Sequence, residues 1–194
     1  MIKIENRFFF ILAFSMALIV ALSNYLVQFP IKYLNLEDLF TYGAFSYPVA
    51  FLITDLANRR YGKIIARKIV YLGFVFGLFL TLYFSTDFSD LISKRIALGS
   101  GVAFLISQLL DVQVFDKLRR KVWYLAPLLS SLIGSFVDTL LFFSIAFYGT
   151  GINWVTLSLG DFLVKIFVAL VMLIPFRLLI FTTNEIGTIK KINV

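Results

Sequence analysis

Six stretches of about 20 predominantly apolar residues follow one another along the chain, separated by short polar segments rich in Lys and Arg. A helix rising about 1.5 Å per residue needs about 20 residues to cross a hydrocarbon core roughly 30 Å thick. The stretches cover approximately residues 8–28, 41–58, 64–84, 96–115, 125–148 and 154–181. They predict an all-α polytopic membrane protein, with one six-helix transmembrane domain over residues 1–194. Composition agrees, with 60% hydrophobic and 15% charged residues where soluble domains run at roughly 45–50% apolar. Lys3 and Arg7 precede the first run as they would in a signal peptide. Its length, and the lack of a small-x-small cleavage site after it, favour a retained helix.

The distribution of positive charge sets the expected orientation. Lys3 and Arg7, then Arg59, Arg60, Lys63, Arg67 and Lys68, then Lys117, Arg119, Arg120 and Lys121, and finally Arg177, Lys190 and Lys191 all fall at one set of alternate ends. The other set holds only Lys32, Lys94 and Arg95, a ratio of fourteen to three. Basic connections stay in the cytoplasm, so both termini are expected there. The net charge of +7 is thus a topology signal, and no nucleic-acid partner is implied. The chain has no Cys and no His, which excludes thiolate nucleophiles, imidazole bases, disulfides and His/Cys metal sites. No phosphate-binding glycine loop is present, and no cofactor, metal or enzymatic activity is expected.

Function is therefore sought among polar residues inside the spans. A charge at mid-bilayer costs about 2.5–3.5 kcal/mol on insertion scales and must face the bundle interior or a wet cavity. On the fifth run Ser131, Gly134, Ser135 and Asp138 recur at i, i+3, i+4 and i+7, one helical face carrying small residues and a carboxylate. Such a stripe serves close packing in many membrane helices, but the acid points to ligand binding or ion coupling. On the sixth run Asp161 and Lys165 stand i, i+4, and Lys165 needs Asp161 or Asp138 as a partner.

The fourth run brings Ser107, Gln108 and Asp111 within one turn. Asp111 lies about 9 Å along the helix from Lys117, so a salt bridge to the basic connection competes with a functional role. In the second run Pro48 permits a kink, Asp55 and Arg59 have ion-pair spacing, and Tyr61-Gly62 reads as a turn. Pro175 is expected to break the last helix. Asn24 in the first run is expected to tie helices together.

Taken in order, Asn24, the block TDLANRRYGKIIAR at 54–67, SQLLDVQVF at 107–115, LSSLIGSFVDTLLF at 129–142 and the spacing from Lys165 to Pro175-Phe176 resemble the queuosine precursor transporter family, also called the vitamin uptake transporter family. The resemblance runs through nearly the whole chain. Arg59 stands where many members carry an acid. The resemblance implies a six-helix bacterial inner-membrane protein that takes up a 7-deazaguanine, either a queuosine precursor (preQ0 or preQ1) or the queuine base, for tRNA modification.

The residues are compatible with such a substrate. A guanine-like edge offers two adjacent N–H donors, and a carboxylate accepts two parallel hydrogen bonds. Asp138 is assigned to that edge, Gln108 and Asn24 to amide readout, and Ser131, Ser135 and Thr139 to smaller polar contacts. Phe142 or Tyr47 offers a stacking face worth roughly 1–3 kcal/mol. Lys165 holds the acid's charge or meets the ligand carbonyl. Asp111, Asp55, Arg59 and Asp161 form a second set, for a gate or a second acid. Alternating access in one small bundle follows, with the bilayer and the small molecule as partners and a homodimer compatible with its size.

Other readings are a transporter or substrate-binding subunit for another vitamin-like or nucleobase molecule, an intramembrane aspartyl enzyme, and a non-transporting scaffold. The enzyme needs two acids that meet, and the Gly-x-Gly-Asp pattern of such proteases is absent. The scaffold leaves the acids, amides and Lys165 without a role.

Overall fold

The computed structural model describes residues 2–26, 29, 31, 41–84 and 91–192. Seven helices follow in order: α1 (Ile2–Leu26), α2 (Tyr42–Ser46), α3 (Pro48–Tyr61), α4 (Lys63–Phe84), α5 (Leu91–Leu118), α6 (Leu125–Phe147) and α7 (Trp154–Ile192). Among the described residues there is no strand. Four helical stretches are long and apolar enough to cross a membrane: Arg7–Leu26, Lys94–Leu118, Leu125–Phe147 and Trp154–Ile180. The protein is a multi-pass membrane protein. Residues 27–28 of the first expected span, Lys32, and the side chains of Lys3, Lys190 and Lys191 lie outside the described residues.

The second expected span is divided. Tyr47 keeps helical dihedrals (φ −59, ψ −39) between α2 and α3, but Pro48 has no N–H to return to Ala44. The Ala50 N–H instead reaches back only to the Tyr47 carbonyl at 3.0 Å, and the two segments meet at this joint. Gly62, with φ of 81°, makes the expected turn into α4, and a left-handed conformation there suits glycine. Pro175 departs from expectation, for α7 continues through it to Ile192. Helices in bilayers accommodate proline when neighbours support the turn, and Phe176 is buried edge-on against Phe115, centroids 6.1 Å apart.

Inter-helix packing follows small residues. A Cβ on Gly73 would overlap Met16 Cγ and one on Gly77 would stand 2.8 Å from Val20, so α1 and α4 come together only because those positions lack one. The core between α1, α3, α4 and α5 holds Met16, Phe104, Ile69, Val70 and Val112. Helices α5 and α6 run antiparallel, with Gly134 against Asp111 Cβ and Gly99 against the Phe142 carbonyl. Large apolar side chains such as Phe10, Phe14 and Leu18 on α1, and Leu159, Leu163 and Phe167 on α7, are exposed. They recur at i, i+4 and i+8 on outward faces, as lipid-facing surfaces do.

The bundle has a basic end and an opposite end. At the basic end Arg59 donates to the Arg119 carbonyl at 2.6 Å, Arg119 returns a bond to the Arg59 carbonyl at 3.2 Å, and Lys63 and Arg119 each stand 3.5 Å from Asp116. At the opposite end Arg95 caps the C-terminus of α6 through the Ile145 and Tyr148 carbonyls, at 2.9 and 2.7 Å, a favourable place for a cation.

Candidate functional site

Polar groups from α5, α6 and α7 converge inside the bundle. Lys165 Nζ, 3% exposed as a residue, lies 2.9 Å from Asp138 Oδ2 and 2.5 Å from Asp161 Oδ2, and donates to Thr139 Oγ1 at 3.1 Å. Thr139 donates its own proton to Asp161 Oδ2 at 2.7 Å, and Ser107 donates to Asp138 Oδ1 at 3.3 Å. The ammonium also sits 5.3 Å from the centre of the Tyr47 ring, within cation–π range. Both sequence-expected Lys165 partners are thus engaged together. One cation neutralises one of two acids, so with both carboxylates ionised the cluster carries a net charge of −1.

This cluster forms one wall of a cavity lined also by Ser23, Asn24, Tyr47, Ser100 and Phe142. Asn24 Oδ1 accepts from Ser100 Oγ at 2.5 Å, which ties α1 to α5 as expected, and Ser23 and Ser46 hydroxyls meet at 2.8 Å. The Tyr47 hydroxyl approaches Asp138 but makes no hydrogen bond of acceptable geometry. The joint before Pro48 therefore aims an aromatic with a spare donor into the cavity. Phe142 brings its ring from α6, edge-on to Phe143 at 5.1 Å.

Gln108, Ser131 and Ser135 do not line this cavity. Gln108 is fully buried, accepts from Thr54 Oγ1 at 2.5 Å, and leaves its Nε2 without a partner. Ser135 Oγ is likewise buried and unpartnered. Ser131 turns toward the basic end and donates to Asp55 Oδ2 at 3.3 Å, beside Ser130, which donates to Asp55 Oδ1 at 3.1 Å. All four residues of the expected α6 face, Ser131, Gly134, Ser135 and Asp138, are buried.

Two expected ion pairs are replaced. Asp55 does not meet Arg59: it points at α6, while Arg59, at the end of α3, satisfies the Arg119 carbonyl. Asp111 does not reach Lys117, since six residues of helix rotate the two by about 240°. Asp111 is buried and Lys117 exposed, and Asp116 takes the ion pairs of the basic end. Sequence reasoning missed Thr54, Ser100 and Ser130 as interior partners. Ser100 lies between two glycines and Ser130 beside Ser131, small-residue signals that mark close helix approach without naming the partner.

Residues 41–180 match the family model described as "Putative vitamin uptake transporter". The queuosine precursor transporter of Escherichia coli (strain K12) is 36% identical, over 81% of this chain and 79% of its own. The probable queuosine precursor transporter of Haemophilus influenzae (strain ATCC 51907 / DSM 11121 / KW20 / Rd) is 36% identical over 84% and 82%, and that of Bacillus subtilis (strain 168) 33% over 69% and 68%. No solved structure matches the chain. Relatives named as transporters at this identity, together with the apolar helices, make this chain a transporter and not an enzyme: it belongs to the vitamin uptake transporter family.

Proposed function

We propose that the chain takes up a 7-deazaguanine, a queuosine precursor or queuine, across the bacterial inner membrane as a single domain of six spans with both termini in the cytoplasm. In this reading α2 and α3 together form the second span and α4 the third, and the basic end faces the cytoplasm. The observation that carries the substrate reading is the convergence of Asp138, Asp161, Lys165, Asn24, Tyr47 and Phe142 on one cavity, in a chain whose relatives are named for queuosine precursors.

A carboxylate has about four lone-pair sites. Asp138 uses one at each oxygen, for Ser107 and Lys165, and retains capacity for the two adjacent N–H donors of a guanine-like edge. Lys165 then shifts part of its hydrogen bonding to the ring carbonyl, Asn24 and Ser100 read the remaining edge, and Tyr47 or Phe142 covers a ring face. Lys165 holds the acids in place when no ligand is bound, so the site is organised before the substrate arrives.

The test is the melting temperature of purified protein with preQ0, preQ1, queuine, guanine and biotin, beside Asp138→Asn. A ligand at about 100 times its Kd adds about 2.7 kcal/mol of stability. One or more deazaguanines should raise the melting temperature of the parent protein, biotin should not, and Asp138→Asn should lose the shift. A folded protein that responds to none of the bases would remove the substrate assignment.

A further inference from the structure

Nearer the basic end lies a second pair of acids that the binding cavity does not use. Asp55 from α3 and Asp111 from α5 are 2% and 0% exposed and close enough to interact directly. Among the described residues neither forms an ion pair. Asp55 takes the hydroxyls of Ser130 and Ser131. Neither Asp111 oxygen takes a hydrogen bond of acceptable geometry among the described residues. A narrow crevice between α3, α6 and α7 is lined by Asp55 and Ser131, with Pro48, Leu52, Met172 and Phe176 around them.

Among the described residues, charged groups on the surrounding helices are engaged elsewhere or, like Lys68 of α4 and Lys117 of α5, exposed. On α3, Arg59 serves the Arg119 carbonyl. On α5, Asp116 is taken by Lys63 of α4 and by Arg119. Arg67 of α4 donates to Gln113 at 2.7 Å. On α7, Lys165 and Asp161 belong to the binding cavity and Arg177 lies 4.7 Å from the Trp123 ring centre. The segment of α6 beside the pair contributes Ser130, Ser131 and Ser135, all uncharged.

We propose that Asp55 and Asp111 are the site of a coupling proton, so that uptake of the base is driven by a proton gradient. This rests on the uptake reading above. Two ionised carboxylates facing each other away from water, with no cation, repel strongly, and such pairs hold one proton between them. One carboxylate of the pair takes the proton, forming an O–H bond whose hydrogen bond runs to the other, and the buried pair then has charge −1. Release breaks that O–H bond, passes the proton to water at the basic end and leaves charge −2. That state needs hydration, which the crevice at Asp55 admits when it opens. Proton release and opening toward the basic end are therefore one event. A sodium ion fits less well, because both serine hydroxyls already point their protons at Asp55 and so turn them away from a cation.

The experiment uses the full chain in proteoliposomes with labelled preQ0 and preQ1. With one proton per base, an inside-alkaline gradient of one pH unit should sustain about tenfold accumulation, the equilibrium ratio set by a tenfold proton ratio. A protonophore should abolish it. Asp111→Asn should retain the ligand-dependent melting shift and lose accumulation, with Asp55→Asn as the second variant if the first does not fold. Uptake indifferent to the gradient, uptake driven by sodium, or an Asp111→Asn that accumulates like the parent overturns the coupling site and leaves the uptake reading standing. Absence of both uptake and any melting shift overturns the two together.

Discussion

Replacing Lys165 by Met isolates what the central cation does. The side chain keeps its length and apolar stem and loses the ammonium, so Asp138 and Asp161, at 2.9 and 2.5 Å from it, are left facing each other across a void in charge. Removing one partner of a buried ion pair costs about 3–5 kcal/mol, because the remaining charge stays uncompensated. At about 2–4 °C per kcal/mol for a chain of this size, the melting temperature should fall by about 6–20 °C. Adding Asp138→Asn and Asp161→Asn to Lys165→Met removes the charges altogether and should recover most of the loss, since a buried triad replaced by neutral groups is often close to neutral in stability. The assay is thermal unfolding of purified protein followed by tryptophan fluorescence, with helicity checked by circular dichroism. A Lys165→Met protein that melts within about 2 °C of the parent, well below the drop predicted from the buried-pair cost, would show that the acids do not depend on Lys165 and would undo the reading of an organised empty site.

Thr54→Val removes the sole donor to Gln108 Oε1 and should cost about 1–3 kcal/mol, whereas Thr54→Val with Gln108→Leu should cost less than the single change; a denaturation cycle that finds the two additive refutes the coupling. Gly134→Ala places a Cβ 2.6 Å from the Phe51 ring and should cost about 1–3 kcal/mol by overpacking, with Phe51→Leu restoring part of it in the same thermal assay. The chain has no cysteine, so Arg120→Cys and Tyr148→Cys can be labelled singly with an impermeant maleimide. The first should react only after the cytoplasmic side is opened and the second in intact cells; the reverse pattern inverts the orientation.

Helix positions were legible because each follows from local properties, namely run length, the missing N–H of Pro48, and a glycine at the Tyr61-Gly62 turn. The partners of Lys165 were legible for a related reason. Asp161 is four residues away on its own helix, and Asp138 stands nearest the middle of the preceding apolar run. What could not be read was azimuth between helices. Asp55 and Arg59 have the spacing of an ion pair, yet the helix turns Asp55 toward α6 and gives Arg59 a carbonyl on another loop. Gln108 and Asp111 share a face with the site residues in projection, but Gln108 is taken by Thr54 and Asp111 opposes Asp55. Those outcomes depend on which helix lies opposite. Pro175 shows the reverse limit, a local breaker overridden by packing around Phe176.

The intrahelical pair on α7 also bears on how the protein is made. With Asp161 and Lys165 joined on one helix, α7 brings its own counter-charge as it leaves the translocon and can partition into lipid as a nearly neutral segment. Helix α6 has no such insurance, because Asp138 finds its cation only on the following helix. An isolated acid at the centre of a span carries an insertion penalty of about 2.5–3.5 kcal/mol. The short connection over residues 148–153 delivers α7 soon after α6, so the residues that organise the empty cavity also set the two helices to enter the membrane as a pair.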